Sequence, residues 1–224
     1  TRDLPVRIGA RSVGAENPLE RPAREIFAAR GFERRSPYGL FLKPLAEGIN
    51  AWVGLNRGSG PGWISLTPTV GVRHEQVQYH MTRLLGRDPK KSTAPTVQTT
   101  LMFLIPRERK SPQWLFVKDE DQSNTATWEL LGRDIDQYAT PWMLERSTPT
   151  QLIAALRRHE GLETSRLGLP ALLWLTGDPD GAREAIEAGR QIRNITGMVV
   201  DYNSYAERLH AEIAAHPDGP QEPA

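Results

Sequence analysis

Cysteine is absent from the 224-residue chain. Its absence excludes a disulfide framework, thiolate zinc sites and cysteine nucleophiles. Long apolar runs are absent as well. None approaches the roughly 20 residues of a membrane-spanning helix, and the N-terminal stretch TRDLPVRIGARSVG lacks the apolar centre of a signal peptide. The expectation is a cytoplasmic chain without membrane contact. A surplus of one charge is also missing: Lys and Arg number 28 and Asp and Glu 27, for a net charge of +1. That balance excludes an acidic DNA mimic and a strongly basic nucleic-acid binder. No period of about 20 to 50 residues recurs, so a solenoid is not supported.

Catalytic motifs are equally scarce. The glycine-rich stretch NRGSGPGW, residues 56–63, has neither the Gly-Lys-Ser/Thr of a P-loop nor GxGxxG, and alternating apolar residues flank it. It is expected to connect a hairpin across residues 56–62, with Gly58, Gly60 and Gly62 at positive φ and Pro61 stiffening the turn. Its Gly-Ser-Gly also lacks the spacing and context of a nucleophile elbow. His74 and Glu75 open HEQVQYH, but His74 and His80 are six residues apart. They point about 120° from each other, whereas HExxH needs two histidines on one helical face. No metal and no cofactor are expected. The carboxylate pairs Asp134 and Asp136, Asp178 and Asp180, and Asp119 and Asp121 read as a helix face, an N-cap and a solvated turn.

What is present is architecture. ENPLERPAREIFAARGF predicts a helix with Asn17 as N-cap, Pro18 at the first position and Gly31 as the stop. Two-residue alternation then predicts strands in YGLFLKPL, INAWVGLNR, GWISLTPTVGV, TVQTTLMFLI and QWLFVKD. In the fourth of these, Val97, Thr99, Leu101, Phe103 and Ile105 share one side. RHEQVQYHMTRLLG predicts a helix with the stripe Val77, Met81, Leu84 and Leu85, and places His80 among partly buried residues. A helix around Trp128 to Tyr138 is expected to break at Pro141. Downstream, Thr148, Pro149 and Gln151 form a capping box, GLPALLWLTG reads as a short buried helix, Asp178 and Pro179 start another, and DYNSYAERLHAEIAAH is amphipathic. His159 sits at a helix end, where a cation suits the dipole.

The fold class is therefore α+β: an antiparallel meander sheet of about five strands covered by helices, with a helical C-terminal half. A single domain is expected over 1–216, its sheet-bearing part 17–146 and its helical part 147–216, followed by a flexible tail over 217–224. Trp52, Trp63, Trp128 and Trp174 sit in patterns that predict burial.

The order of ARGF, INAWVGL, GWISLTPTVGV, DIDQYATPWM and LLWLTGDPDGAREAI over residues 18–190 resembles small bacterial domains found among the immunity proteins of toxin systems. That resemblance implies a non-enzymatic protein that binds and neutralises a toxin. Many nuclease-blocking immunity proteins are strongly acidic and this chain is not, which argues against a nuclease partner. For protein binding, the candidates are Trp52, Trp114 and the acidic turn Asp119, Glu120 and Asp121, where an aromatic anchor meets a charged rim. A second reading is a nucleic-acid-binding or nucleic-acid-processing protein that uses the basic 83–114 region. Its contacts would be Lys90, Lys91, Arg107, Arg109 and Lys110, interleaved with aromatics. A third is an enzyme built around His74 and Glu75.

Overall fold

The computed structural model describes residues 19–36, 39–109, 114–117, 120–158, 162–191, 201–217 and 219, without the side chains of 162–165. The expected α+β class holds: six strands form one antiparallel sheet, and helices dominate the second half. Strands β1 (Glu33–Ser36), β2 (Leu40–Ala46), β3 (Ile49–Gly60), β4 (Trp63–His74) and β5 (Val97–Thr100) lie in meander order. β6 (Trp114–Val117) also pairs with β4.

The centre of the sheet is the hairpin of β3 and β4, two strands of 12 residues each. Ala51, Val53 and Leu55 alternate onto one face, opposite Val72, Val70 and Pro68, and helices cover that face. The turn is tighter than the expected 56–62 connection: Gly60 pairs with Trp63, leaving only Pro61 and Gly62 between them. Gly62 alone of the three expected glycines has positive φ, +78°. Pro followed by a positive-φ Gly is the type II pattern. Gly58 and Gly60 are strand residues that keep space for neighbouring side chains.

β5 and β6 share one edge of β4. Val97 to Thr100 pair with Val72 to Thr69, and Trp114 to Val117 pair with Leu66 to Trp63. This sharing corrects the long fourth strand. β4 has room for only four residues of β5 before β6 takes over, so the chain leaves in a 3-10 turn at Leu101–Phe103, and Phe103 is 74% exposed. β1 was not expected, because Glu33–Ser36 carries no apolar residue and forms a half-exposed edge.

The helices are α1 (Glu20–Ala28), α2 (Glu75–Leu84), α3 (Asp121–Asp134), α4 (Thr140–Leu144), α5 (Pro149–Arg157), α6 (Leu162–Leu175), α7 (Pro179–Gln191) and α8 (Tyr202–Ala215). Asn17 and Pro18, the expected start of α1, lie outside the described residues, as do His159 and all of the tail except Pro217 and Gly219. Gly31 does end the first helical segment, at φ +77°. The expected break at Pro141 is replaced by a π-helical stretch, Ile135–Ala139, that runs from α3 into α4. Pro141 thereby falls in the first turn of α4, where a missing N–H is tolerated. The capping box of α5 forms as expected. α6 is longer than GLPALLWLTG and contains Pro170.

Two cores result. The larger lies between the sheet and α1, α3 to α6, with Phe27 stacked on Phe41 at 4.3 Å and Phe116 packed on Trp128 at 4.6 Å. The smaller joins α2 to the last three helices through Met81, Leu84, Trp174, Ile186, Tyr205 and Leu209. No described helix is long and apolar enough to cross a membrane.

Candidate binding groove

A groove of about 900 Å³ opens at the hairpin end of the sheet, between α1, α3, β6 and the turn. α3 presents Asp121, Asn124, Thr125, Trp128 and Glu129 to it, and α1 with its C-cap presents Pro22, Glu25, Ile26 and Ala29. Both sets recur at three- and four-residue spacing, so each helix gives one face to the groove. Trp128 and Phe116 are buried in its floor, whereas Trp63, at its rim, is 41% exposed. The expectation that Trp63 is buried is thus corrected. Its ring lies over Gly60, where a Cβ would fall 2.5 Å from the indole Cε2.

Two polar side chains of the α3 wall, Asn124 and Thr125, are already engaged. β6 has no further described strand beyond it, and α3 supplies the missing partner. Asn124 Nδ2 donates to the Val117 carbonyl at 2.8 Å, while Asn124 Oδ1 accepts from the Val117 N–H at 2.9 Å. Thr127 Oγ1 donates to the Leu115 carbonyl at 3.3 Å, and Thr125 Oγ1 to the Asp121 carbonyl at 2.9 Å. The bonds to Val117 and Leu115 blunt the sheet edge. α1 is tied to α3 by Arg30, which donates from Nε to the Gly132 carbonyl at 3.1 Å and to Asp136 at 3.0 Å. The charges facing the groove are the carboxylates of Glu25, Asp121 and Glu129, with no Lys, Arg or His among the described lining residues. Glu25 is paired with Arg21 at 2.8 Å.

Among the expected partner-binding residues, the structure brings Asp121 to the rim, and Glu120 is exposed at the N-cap position of α3. Asp119 lies outside the described residues. Trp114 is 2% exposed, packed in the larger core, and so is not displayed as a surface anchor. Trp52 is half-buried away from the groove. Its ring covers Gly54, and its Nε1 donates to the Thr93 carbonyl at 2.7 Å.

The basic residues are not gathered into one groove. Lys90 and Lys91 are exposed in a 3-10 turn ahead of β5, Arg107 and Arg109 belong to another after it, and Lys110 lies outside the described residues. Arg109 reaches inward to Asp134, which is 0% exposed, and this bond holds the guanidinium above its ordinary pKa. Asp134 therefore does not belong to a solvated helix face; its second oxygen, Oδ2, has no partner. Of the other carboxylate pairs, Asp178 caps α7 by accepting from the Gly181 N–H at 2.8 Å.

His74 and Glu75 do not form an open catalytic pair. The Glu75 carboxylate accepts from Arg73 Nε at 2.9 and 3.0 Å and from Asn50 Nδ2 at 2.9 Å. His74 is buried with Nδ1 unpartnered, and desolvation lowers its pKa despite Glu75. Among the described residues no group of three His, Cys, Asp or Glu is placed to hold a metal ion.

The sequence reading missed Trp63, Ile26, Glu25 and Glu129 as groove residues. Their signal was present on the helices, where acidic residues sit beside apolar ones at helical spacing, but nothing local joins α1 to α3 across about 100 residues of chain. Compared with protein-family models, with curated proteins and with solved structures, the chain matches none.

Proposed function

We propose that the chain is a non-enzymatic binding protein that seats a partner protein in the groove between α1, α3 and the hairpin turn, and that the partner is a toxin it neutralises. The observation that carries this reading is the exposed Trp63 standing beside an apolar floor and a carboxylate rim. Tryptophan is enriched among the residues that dominate binding energy when an interface buries them. A rim of charge around an apolar centre is the common anatomy of protein interfaces. Asn124 and Thr125 spend their polar atoms on backbone groups, so an apolar occupant leaves neither of them stranded. The toxin as partner rests on the sequence resemblance alone.

The test is capture from the native host with the full-length chain, followed by co-expression of the captured protein. The expected result is one partner at one-to-one stoichiometry, toxic alone and harmless beside the wild-type chain, with Trp63→Ala folded but at least tenfold weaker. Capture that ignores Trp63→Ala would remove the groove from the reading. Nucleic-acid binding abolished by neutralising Lys90, Lys91 and Arg107 would replace it.

A further inference from the structure

Resting on that reading, we infer that the groove receives a basic amphipathic segment of the partner, whose apolar face meets Ile64 and Ile26, which passes Trp63 at the hairpin rim, and whose cations meet Asp121 and Glu129. Three observations combine. Ile26 of α1 and Ile64 of β4 offer accessible apolar surface inside one groove, and Trp63, which alternation places on the other side of β4 from Ile64, stands at its rim. Of the uncharged hydrogen-bonding side chains, Asn124 and Thr125 are occupied by backbone groups and Ser59 lies exposed by the turn, so the charged recognition groups are carboxylates. A small-molecule site differs in this respect, because it keeps placed polar groups free to orient its ligand.

Charge gives the sign of the occupant. Glu25 shares its carboxylate with Arg21, whereas among the described residues neither Asp121 nor Glu129 forms an ion pair, although Arg133 follows Glu129 by one turn on the exposed side of α3. They lie eight residues apart on one helix, about 12 Å along its axis. A partner helix laid beside α3 with Arg or Lys two turns apart, and Leu or Ile between them, places both cations on the rim while its apolar stripe faces the floor. This is the helix-in-groove mode of recognition. An acidic segment would instead set like charges against Asp121 and Glu129 at both ends, so the rim discriminates as well as attracts. Trp63 offers a further contact, since a cation over an indole face is favoured.

Two labelled 15-residue peptides of equal apolar pattern serve as probes, one with arginines flanking its leucine stripe and one with glutamates in their place. Fluorescence anisotropy against the full-length chain should show saturable binding of the arginine peptide, weakening as salt rises because screening shortens the reach of the rim charges. The double variant Asp121→Lys with Glu129→Lys should lower that affinity at least tenfold and admit the glutamate peptide. Trp63→Ala should weaken binding at every salt concentration. Equal binding of both peptides, or arginine-peptide binding indifferent to the charge reversal, overturns the inference. So does an absence of peptide binding while capture of the native partner still depends on Trp63, an outcome that leaves the proposed function standing. Concentration-dependent dimerisation abolished by Trp63→Ala, seen in sedimentation, would make a second copy of the chain the occupant and overturn it too. Circular dichroism checks that each variant is folded.

Discussion

The two ends of β4 differ in what they leave unfinished. At its start, next to the hairpin turn, Asn124 and Thr125 of the groove wall are paired and apolar surface is left open, with Trp63 the clearest case. At its far end, where β4 runs into α2, the apolar surface is enclosed by the smaller core while buried polar atoms go unpaired: His74 Nδ1, Gln78 Oε1 and His80 Nδ1. Open apolar surface removes little from stability and favours association. Buried unpaired polar atoms act in the opposite way, lowering stability without offering anything to a partner. One end is therefore suited to binding and the other sets much of the stability, so substitutions at the two ends should separate these properties.

The largest effect is expected at the enclosed end. Trp174 is fully buried in the smaller core, donates from Nε1 to the His216 carbonyl at 2.8 Å and meets the His80 ring edge-on at 5.4 Å. Trp174→Ala should lower the unfolding free energy by about 3–5 kcal/mol, measured by urea denaturation, while groove binding at a temperature that keeps the variant folded stays within twofold. A parallel loss of affinity would show that the two ends are coupled. Arg109→Ala comes next. It removes the partner of the buried Asp134, and stranding such a charge costs about 3–5 kcal/mol. Arg109→Ala combined with Asp134→Leu should recover part of that loss, because no charge is then left buried. A neutral result for Arg109→Ala would restore Arg109 as a candidate for surface contacts.

A smaller effect depends on pH and sharpens the contrast further. His74 and His80 are both held below the ordinary imidazole value of 6.5, chiefly because burial disfavours the charged ring. Glu75 opposes the shift at His74. Arg83 adds to it at His80 and Glu212 opposes it there. The unfolded chain thus takes up protons at a higher pH than the folded one. The stability due to neutral burial is complete above about pH 6.5 and is lost as pH falls through the lowered folded values. The slope is up to about 1.4 kcal/mol per pH unit for each ring. Denaturation at pH 7 and pH 5 should show the fall, and His80→Gln should flatten it. Unchanged wild-type stability across that interval would contradict the assignment to these rings.

How much of this was legible in the sequence follows the same division. The β3–β4 hairpin was legible because one of its faces is buried, which forces alternation on Ala51, Val53 and Leu55 and on Val70 and Val72. The cap of α7 and the capping box of α5 were legible because they are made within three residues. β1 was illegible, since an exposed edge strand needs no apolar pattern. The length of β5 was illegible for another reason: its end is set by β6 taking the next stretch of β4, a choice made by distant residues. The groove belongs to this second kind. Asp121 stood out as part of an acidic turn, but Trp63 read as core on account of its ring, although the alternation that buries Val70 and Val72 places it on the other side of β4.

The smallest effect on stability should accompany a clear effect on binding, at Gly60. Its backbone is extended in β3 and has no positive φ, so alanine is conformationally allowed there. Gly in a strand is less favourable than Ala by roughly 0.5–1 kcal/mol, which sets a small gain against any disturbance. The disturbance is local. A Cβ would lie 2.5–2.6 Å from three atoms of the Trp63 indole, and that exposed ring must swing aside. Gly60→Ala should therefore leave the unfolding free energy within about 1 kcal/mol of wild type, since the displaced ring is already at the surface. Its affinity for the arginine peptide should nonetheless fall several-fold, because the ring no longer holds its place at the rim. A variant that binds as wild type, with unchanged tryptophan fluorescence, would show that the posture of Trp63 over Gly60 is not what the groove uses.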